Sequence, residues 1–467
     1  MKHVTHTLFW NLFDSAGTQA LLIIHYIALR SYIGISFHGA LAAMLSLFYF
    51  ILVVTNGGLD SSLAPFFKAI TSTKKQAYSF AFRIIAPQWL LYSILALLFY
   101  LFFPHILTAL TLYVPNCFLY AHQAFMRHTS TMLATYIALT FITESIKKTC
   151  KACLQLAFYT PITACVEFFG TICYLLLFWS AYNFGASITL EFSWLLLLLV
   201  SACQASILGV VLARFLNHLP GSVPKDSKSL PSAAYMRFFK TRLFTFANQL
   251  TAQLFTGNLL VPMAAFYQGL NTASFLKVIT SMSHWVTLIA QKVFGISSSA
   301  FFAQLKDSDL AARRAFFMRI SSQLHQALYA LAIFLTINGA KLVAMQSDNS
   351  FSVPRWSTLY LMLIISFTES FFVVYDRWFL IEEKAFYTLG LNLISFSIIY
   401  ALVYYTQCYA YFSPFILFIA IIGVRLLAFS FLSFFSYYFW RLAFTWRLQL
   451  STLIMSLIFS LSFYFLV

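Results

Sequence analysis

The chain has 467 residues, of which 61% are hydrophobic and only 9% charged, and its mean hydropathy is +0.82. A soluble domain of that make-up would lack the polar residues to cover its outside. Lys and Arg outnumber Asp and Glu by 29 to 13, but the cations lie in short stretches between apolar runs, where membrane orientation places them, so no nucleic-acid partner is implied. The composition specifies an all-α polytopic membrane protein.

A helix needs about 20 mainly apolar residues to cross the bilayer. By that measure spans are expected near residues 8–30, 36–56, 80–103, 128–146, 154–181 and 192–213. A second series follows near 243–266, 272–298, 320–344, 356–376, 385–406, 411–434 and 449–467. The stretch from Thr111 to Arg127 reads either as a loop or as the start of the fourth span. The N-terminal MKHVTHTLFWNLFDSAG has a basic start, but Asn11 and Asp14 interrupt its apolar run and no small-residue cleavage motif follows. An uncleaved first span is therefore expected. Cys150 and Cys153 form a CxxC without further metal ligands nearby, which predicts free thiols.

Between the two series lies a basic, proline-containing stretch from Arg214 to Arg242, with Arg214, Lys225, Lys228, Arg237, Lys240 and Arg242 opposed only by Asp226. It predicts a cytoplasmic linker (214–242) joining an N-terminal bundle (1–213) to a C-terminal one (243–434), with an additional segment over 435–467. The loops after even-numbered spans are basic: Lys68, Lys74 and Lys75; Lys147, Lys148 and Lys151; the linker; and Lys306, Arg313, Arg314 and Arg319. That alternation predicts a cytoplasmic N-terminus.

Polar side chains inside spans are costly and usually face a bundle interior or a watery cavity. In the eighth span Lys277, Ser281, His284, Gln291 and Lys292 recur at helical spacing. Lys277 and Lys292 are ~22 Å apart along a helix, the first toward the outer face and the second toward the cytoplasm. They read either as cations that pass an anionic headgroup along one face, or as side chains snorkelling to opposite interfaces. The first span carries Asn11, Asp14, Thr18 and His25 on one face and ends at Arg30. Asp14 would pair with a basic cavity residue or bind a coupling cation, or else the stripe is a partly wet helix start near the cytoplasmic interface. The seventh span offers Thr245, Gln249, Gln253 and Thr256 on one face, as hydrogen-bond donors for sugar hydroxyls or as glue between helices. Glu167, Glu369 and Arg425 are isolated charges in other spans, read as structural ion-pair partners or proton sites.

The halves share a faint pattern. GISFHGAL from Gly34 follows the first span and GLNTASFL from Gly269 follows the seventh, each a glycine turn opening a helix. Transporters are commonly built from such repeated bundles, with the substrate between them. With the polar first span, GLDSSLAPFFKA at Gly58–Ala69 and AAFYQGLNTASFLKVITSMSHWV at Ala264–Val286, the chain resembles the polysaccharide and oligosaccharidyl-lipid flippases of the multidrug/oligosaccharidyl-lipid/polysaccharide exporter superfamily. The resemblance implies two helical bundles, twelve or fourteen spans, and a central cavity that opens alternately to each side of the membrane. It also implies a bacterial inner-membrane location and a lipid-linked glycan or similar anionic amphiphile as cargo.

No cofactor is expected: no GxxxxGK[ST] nucleotide loop occurs. A cation-coupled drug exporter of the same superfamily is the nearest alternative, and it would favour an acidic cavity. The rival of a different class, a membrane glycosyltransferase or polymerase, would need a large outside loop or an acidic metal motif. Asp307 and Asp309 form a DSD among arginines, which reads as a helix cap. The chain is therefore read as a transporter and not an enzyme.

Overall fold

The computed structural model describes residues 2–113, 131–220, 232–253, 269–293, 385–408 and 414–440, with separate residues between 258 and 384. The expected span at 449–467, all of 320–344 but Leu331, and most of 356–376, together with Glu369, Asp307 and Asp309, lie outside the described residues. Every extended element among the described residues is helical, and seven of the helices are long and apolar enough to cross a membrane.

The first hairpin pairs α1 (Lys2–Ala28) with α2 (Ile35–Asn56), joined by a π-helical turn, Leu29–Ile33, and Gly34. Gly57 and Gly58 end α2 with φ of 55° and 72°, the left-handed conformation that glycine adopts without a Cβ penalty. α3 (Lys74–Phe80) starts at a Thr73 cap whose Oγ1 accepts from the Gln76 amide, and passes through a second π turn into α4 (Ala86–Tyr113). α4 exposes Leu90, Leu91, Ile94, Leu97, Leu98 and Leu101 while burying Tyr92 and Ala96. An apolar outer face over a partly polar inner one is what a helix bathed in lipid requires.

α5 (Thr131–Leu156), α6 (Thr160–Asn183) and α7 (Leu190–His218) complete the series before the linker. α5 packs between α4 and α7, and α1 lies along α6. Here one expectation is corrected. The fourth span was to end at residue 146, with Lys147, Lys148 and Lys151 in a cytoplasmic loop. Instead α5 continues to Leu156, and Lys147 and Lys151 lie inside the bundle. Charge density alone says loop, but carboxylates on neighbouring helices pair with these ammoniums and let the helix run on. Cys150 and Cys153 are buried, free thiols of the same helix.

The ends of the linker are also helical, since α7 reaches His218 and α8 runs over Ser232–Gln253; residues 221–231 lie outside the described residues. α9 (Leu270–Val293) follows, then α10 (Ala385–Cys408) and α11 (Pro414–Trp440), which pack on each other. The chain divides into two compact units, Met1–Val278 and Ile279–Val467. In the second, Arg425 is buried at 1% exposure and donates from Nη1 to Asn392 Oδ1.

Within the first unit the two glycine-led stretches meet. The His38 ring Nδ1 lies 2.8 Å from Ser274 Oγ. A Cβ on Gly39 would overlap the backbone carbonyl of Leu270. Gly39→Ala must therefore push the starts of α2 and α9 apart. We expect a loss of about 1–3 kcal/mol from overpacking, read as a lower melting midpoint of the purified chain. Gly209→Ala, whose Cβ meets nothing within 4 Å, serves as control.

The opposite end of α2 is held by α8. Arg242 donates to the carbonyls of Gly57 at 3.0 Å and Asn56 at 3.3 Å, and to Gln88 Oε1. A guanidinium there satisfies carbonyls at the negative end of the helix dipole. Gln88 Nε2 donates to the Thr55 carbonyl at 2.7 Å, and the Tyr92 hydroxyl to Asn56 Oδ1 at 3.0 Å.

Candidate functional site: a basic cluster at the head of the first hairpin

Tyr26, near the end of α1, is the hub of the site. Its ring centroid lies 5.9 Å from that of His25 and 5.6 Å from that of His38. The Lys277 ammonium sits 5.4 Å from the same centroid and donates to Ser46 Oγ at 3.3 Å. Arg30, one helical turn beyond Tyr26 in the π turn, is buried at 8% exposure. Three helices thus bring together four basic side chains. No Asp or Glu occurs between Ser15 and Leu59, nor between Ala264 and Lys277.

The local chain explains each position. The π turn inserts an extra residue at the end of α1, re-aiming Arg30; such turns are frequent at functional sites. His38 is the fourth residue of α2, near an N-terminus that carries partial positive charge and unsatisfied amide groups, and Lys277 lies just over two turns into α9. His25 is enclosed by Tyr174, Phe178 and Trp179, with ring centroids 5.1–5.9 Å away, and neither of its ring nitrogens has a hydrogen-bond partner. His38 Nε2 has none either. Buried donors and acceptors are normally satisfied, so these imidazole nitrogens remain available to a ligand. Aromatic walls, hydroxyls and clustered cations at a helix N-terminus are suited to an anionic group such as phosphate.

Of the residues singled out in the sequence, Lys277, His25 and Arg30 are brought to this cluster. Asp14 and Thr18 are not. Thr18 Oγ1 donates to Asp14 Oδ1 at 3.3 Å, and Lys151 Nζ lies 3.5 Å from Asp14 Oδ2. Asp14 thus faces a lysine of α5. Asn11 is buried on the same helix, and its carbonyl accepts from Ser15 Oγ at 2.8 Å. In α9 Ser281 is buried, and His284 Nδ1 lies 2.9 Å from Thr287 Oγ1. Gln249 is half-buried in α8. The side chains of Gln253, Gln291 and Lys292 lie outside the described residues. Sequence reasoning missed Tyr26, His38, Ser46 and Ser274. The internal pattern pointed to GISFHGAL and GLNTASFL, and His38 and Ser274 are polar residues inside those stretches.

No protein-family model and no curated protein sequence matches the chain. Solved structures do. An outward-facing multidrug-resistance MATE family transporter of the MOP superfamily aligns with TM-score 0.67 at 12% identity, over 92% of this chain and 93% of that one. A mutant of the Vibrio cholerae MATE transporter VcmN aligns with TM-score 0.64 at 10% identity, over 92% and 94%. The fold is that of the MATE transporters. It is an all-α membrane fold of two helix bundles, and the chain is accordingly a multi-pass membrane protein. A Pyrococcus furiosus MOP superfamily transporter, described as having a binding pocket of reverse polarity that suggests a different function, aligns with TM-score 0.56 at 12% identity, over 92% and 94%.

Proposed function

We propose that the chain is a transporter that moves an anionic amphiphile, a lipid-linked oligosaccharide or a close chemical relative, across the bacterial inner membrane by alternating access. The observation that carries this reading is the largely buried cluster of His25, Arg30, His38 and Lys277 around Tyr26 at the head of the first hairpin. Two cations, Arg30 buried and Lys277 half-buried, beside two imidazoles with unused ring nitrogens suit a visiting anion. A phosphate or pyrophosphate headgroup would accept from Lys277 and Arg30, while its lipid tail stays in the bilayer beside the apolar helix faces. The proposed movement is a rocking of the two bundles about the bound headgroup, with affinity for the headgroup differing between the two end states.

The cation-coupled drug exporter remains the neighbouring reading, and it calls for free carboxylates toward the cargo. Asp14, Glu144 and Glu167 are instead tied to lysines, which favours the anionic cargo. The glycosyltransferase reading predicts sugar transfer by the purified chain from a labelled donor.

The test is reconstitution into liposomes with a fluorescent polyprenyl-pyrophosphate glycan, with quenching of the outer leaflet reporting flipping. Faster flipping than in protein-free liposomes is expected, and no gain for a neutral or cationic amphiphile. Equal movement of a cationic dye and no movement of the glycan would overturn the reading.

A further inference from the structure

Beyond the basic cluster, the first unit holds a buried network of opposite character. Lys147 Nζ lies 2.6 Å from Glu144 Oε1 and 3.9 Å from Glu167 Oε2, and donates to Gln204 Oε1 at 3.1 Å. Lys151 Nζ lies 3.1 Å from Glu167 Oε1 and 3.5 Å from Asp14 Oδ2. Gln204 Nε2 in turn donates to the Val166 carbonyl at 2.9 Å. The network joins α1 through Asp14, α5 through Glu144, Lys147 and Lys151, α6 through Glu167, and α7 through Gln204. Lys148, which follows Lys147 on α5 and stands one turn from Glu144, lies 5.7 Å from the Tyr49 ring centroid. Asp14, Glu144 and Glu167 thus each lie within ion-pair distance of Lys147 or Lys151.

Carboxylates buried in a membrane bundle must be neutralised, by a proton, a metal ion or a fixed cation. An exchangeable ion would be released and rebound as a transporter cycles. A lysine of the same chain is always present and leaves no vacancy to fill. Glu167 is shared by both ammoniums, so the two pairs form one connected unit and not two separate bridges.

We infer that Lys147 and Lys151 are tethered counter-ions that stand where an exchangeable monovalent cation would otherwise bind, so that the carboxylates of Asp14, Glu144 and Glu167 need no coupling ion. The consequence is that deleting one ammonium creates a cation site. Lys151→Met removes the partner that lies between Asp14 and Glu167, on two different helices. It leaves oxygen donors from Asp14, Thr18 and Glu167, the ligand type that hard cations take. This inference concerns the ion balance of the bundle and stands or falls separately from the identity of the cargo.

The experiment measures melting midpoints of the full-length, detergent-purified chain in lithium, sodium, potassium and choline chloride at equal ionic strength, together with radioactive sodium binding. For the wild type, one midpoint in all four salts and no bound sodium are expected. For Lys151→Met, a midpoint a few degrees higher in sodium or lithium than in choline is expected, with about one sodium bound per chain. The double variant Lys151→Met/Glu167→Gln restores the charge balance and should lose both effects. Stoichiometric sodium binding by the wild type, abolished by Asp14→Asn, would overturn the inference. So would a Lys151→Met chain that folds and responds to no cation. Should Lys151→Met fail to fold, Lys151→Gln, which keeps a polar side chain in place, takes its part with the same two outcomes. Flipping is not read in any arm, so a different cargo leaves these results unchanged.

Discussion

Lys277→Ala is expected to slow flipping of a pyrophosphate-linked glycan by ~30- to ~1000-fold, while expression and melting midpoint stay near those of the wild type. The fold-change corresponds to about 2–4 kcal/mol, the usual loss when one partner of a buried charged contact is truncated. The geometry makes Lys277 the sensitive member of the cluster. Its ammonium donates to Ser46 Oγ at 3.3 Å and lies 5.4 Å from the Tyr26 ring centroid. An arriving anionic headgroup would take a charge-assisted bond stronger than the one to the Ser46 hydroxyl. Two companions sharpen the expectation. Lys277→Arg, which keeps the charge, should retain part of the rate. Tyr26→Phe, which keeps the ring that His25, His38 and Lys277 surround, should be milder than Tyr26→Ala. Wild-type flipping by Lys277→Ala in the reconstituted assay would remove this residue from the site.

Glu167→Ala should produce the largest loss of stability of any single change in the first unit. Glu167 lies 3.1 Å from Lys151 and 3.9 Å from Lys147, so its removal strips a partner from both ammoniums at once. Leaving a buried ion without its partner costs about 3–5 kcal/mol. A melting midpoint well below that of the wild type, and poor recovery from membranes, are the expected results. Asp14→Ala should cost less, because its contact with Lys151, at 3.5 Å, is longer than that of Glu167, at 3.1 Å, and Glu167 still holds that lysine. Equal midpoints for Glu167→Ala and Asp14→Ala would show that the network is not centred on Glu167.

The two clusters occupy the same helix. Asp14 and His25 stand eleven residues apart on α1, three turns of helix, and the carboxylate layer and the cationic layer are separated by apolar side chains such as Ile23. A headgroup drawn to the basic layer is repelled by carboxylates only if these are unpaired. With Lys147 and Lys151 in place, Asp14, Glu144 and Glu167 each lie against an ammonium. The ion network and the anion-binding reading are in this sense mutually consistent.

The membrane class and the helix positions were legible in the sequence, because both depend on local quantities: the length of an apolar run, its period of 3.6, and the glycines that end it. Lys277, His25 and Arg30 could be singled out by the same means, since an ionisable residue in an apolar helix is conspicuous wherever it lies. The pairing of GISFHGAL with GLNTASFL was visible as a likeness. That the two stretches touch, through His38 and Ser274 and through the bare Cα of Gly39, was not.

What the sequence by itself determined is that this chain crosses a membrane repeatedly and carries basic residues within its spans, for these follow from composition and spacing alone. The tertiary structure alone decided which charges are neutralised. Lys147, Lys148 and Lys151 read as a loop because three lysines in five residues cannot enter a bilayer unaided, and only the fold brings Asp14 of α1 and Glu167 of α6 against them. Lys277 looks no different in sequence, yet the fold sets it against an aromatic ring and a hydroxyl. Whether a buried cation is spent on structure or kept for a ligand depends on partners that other helices bring to it, and no local pattern encodes them.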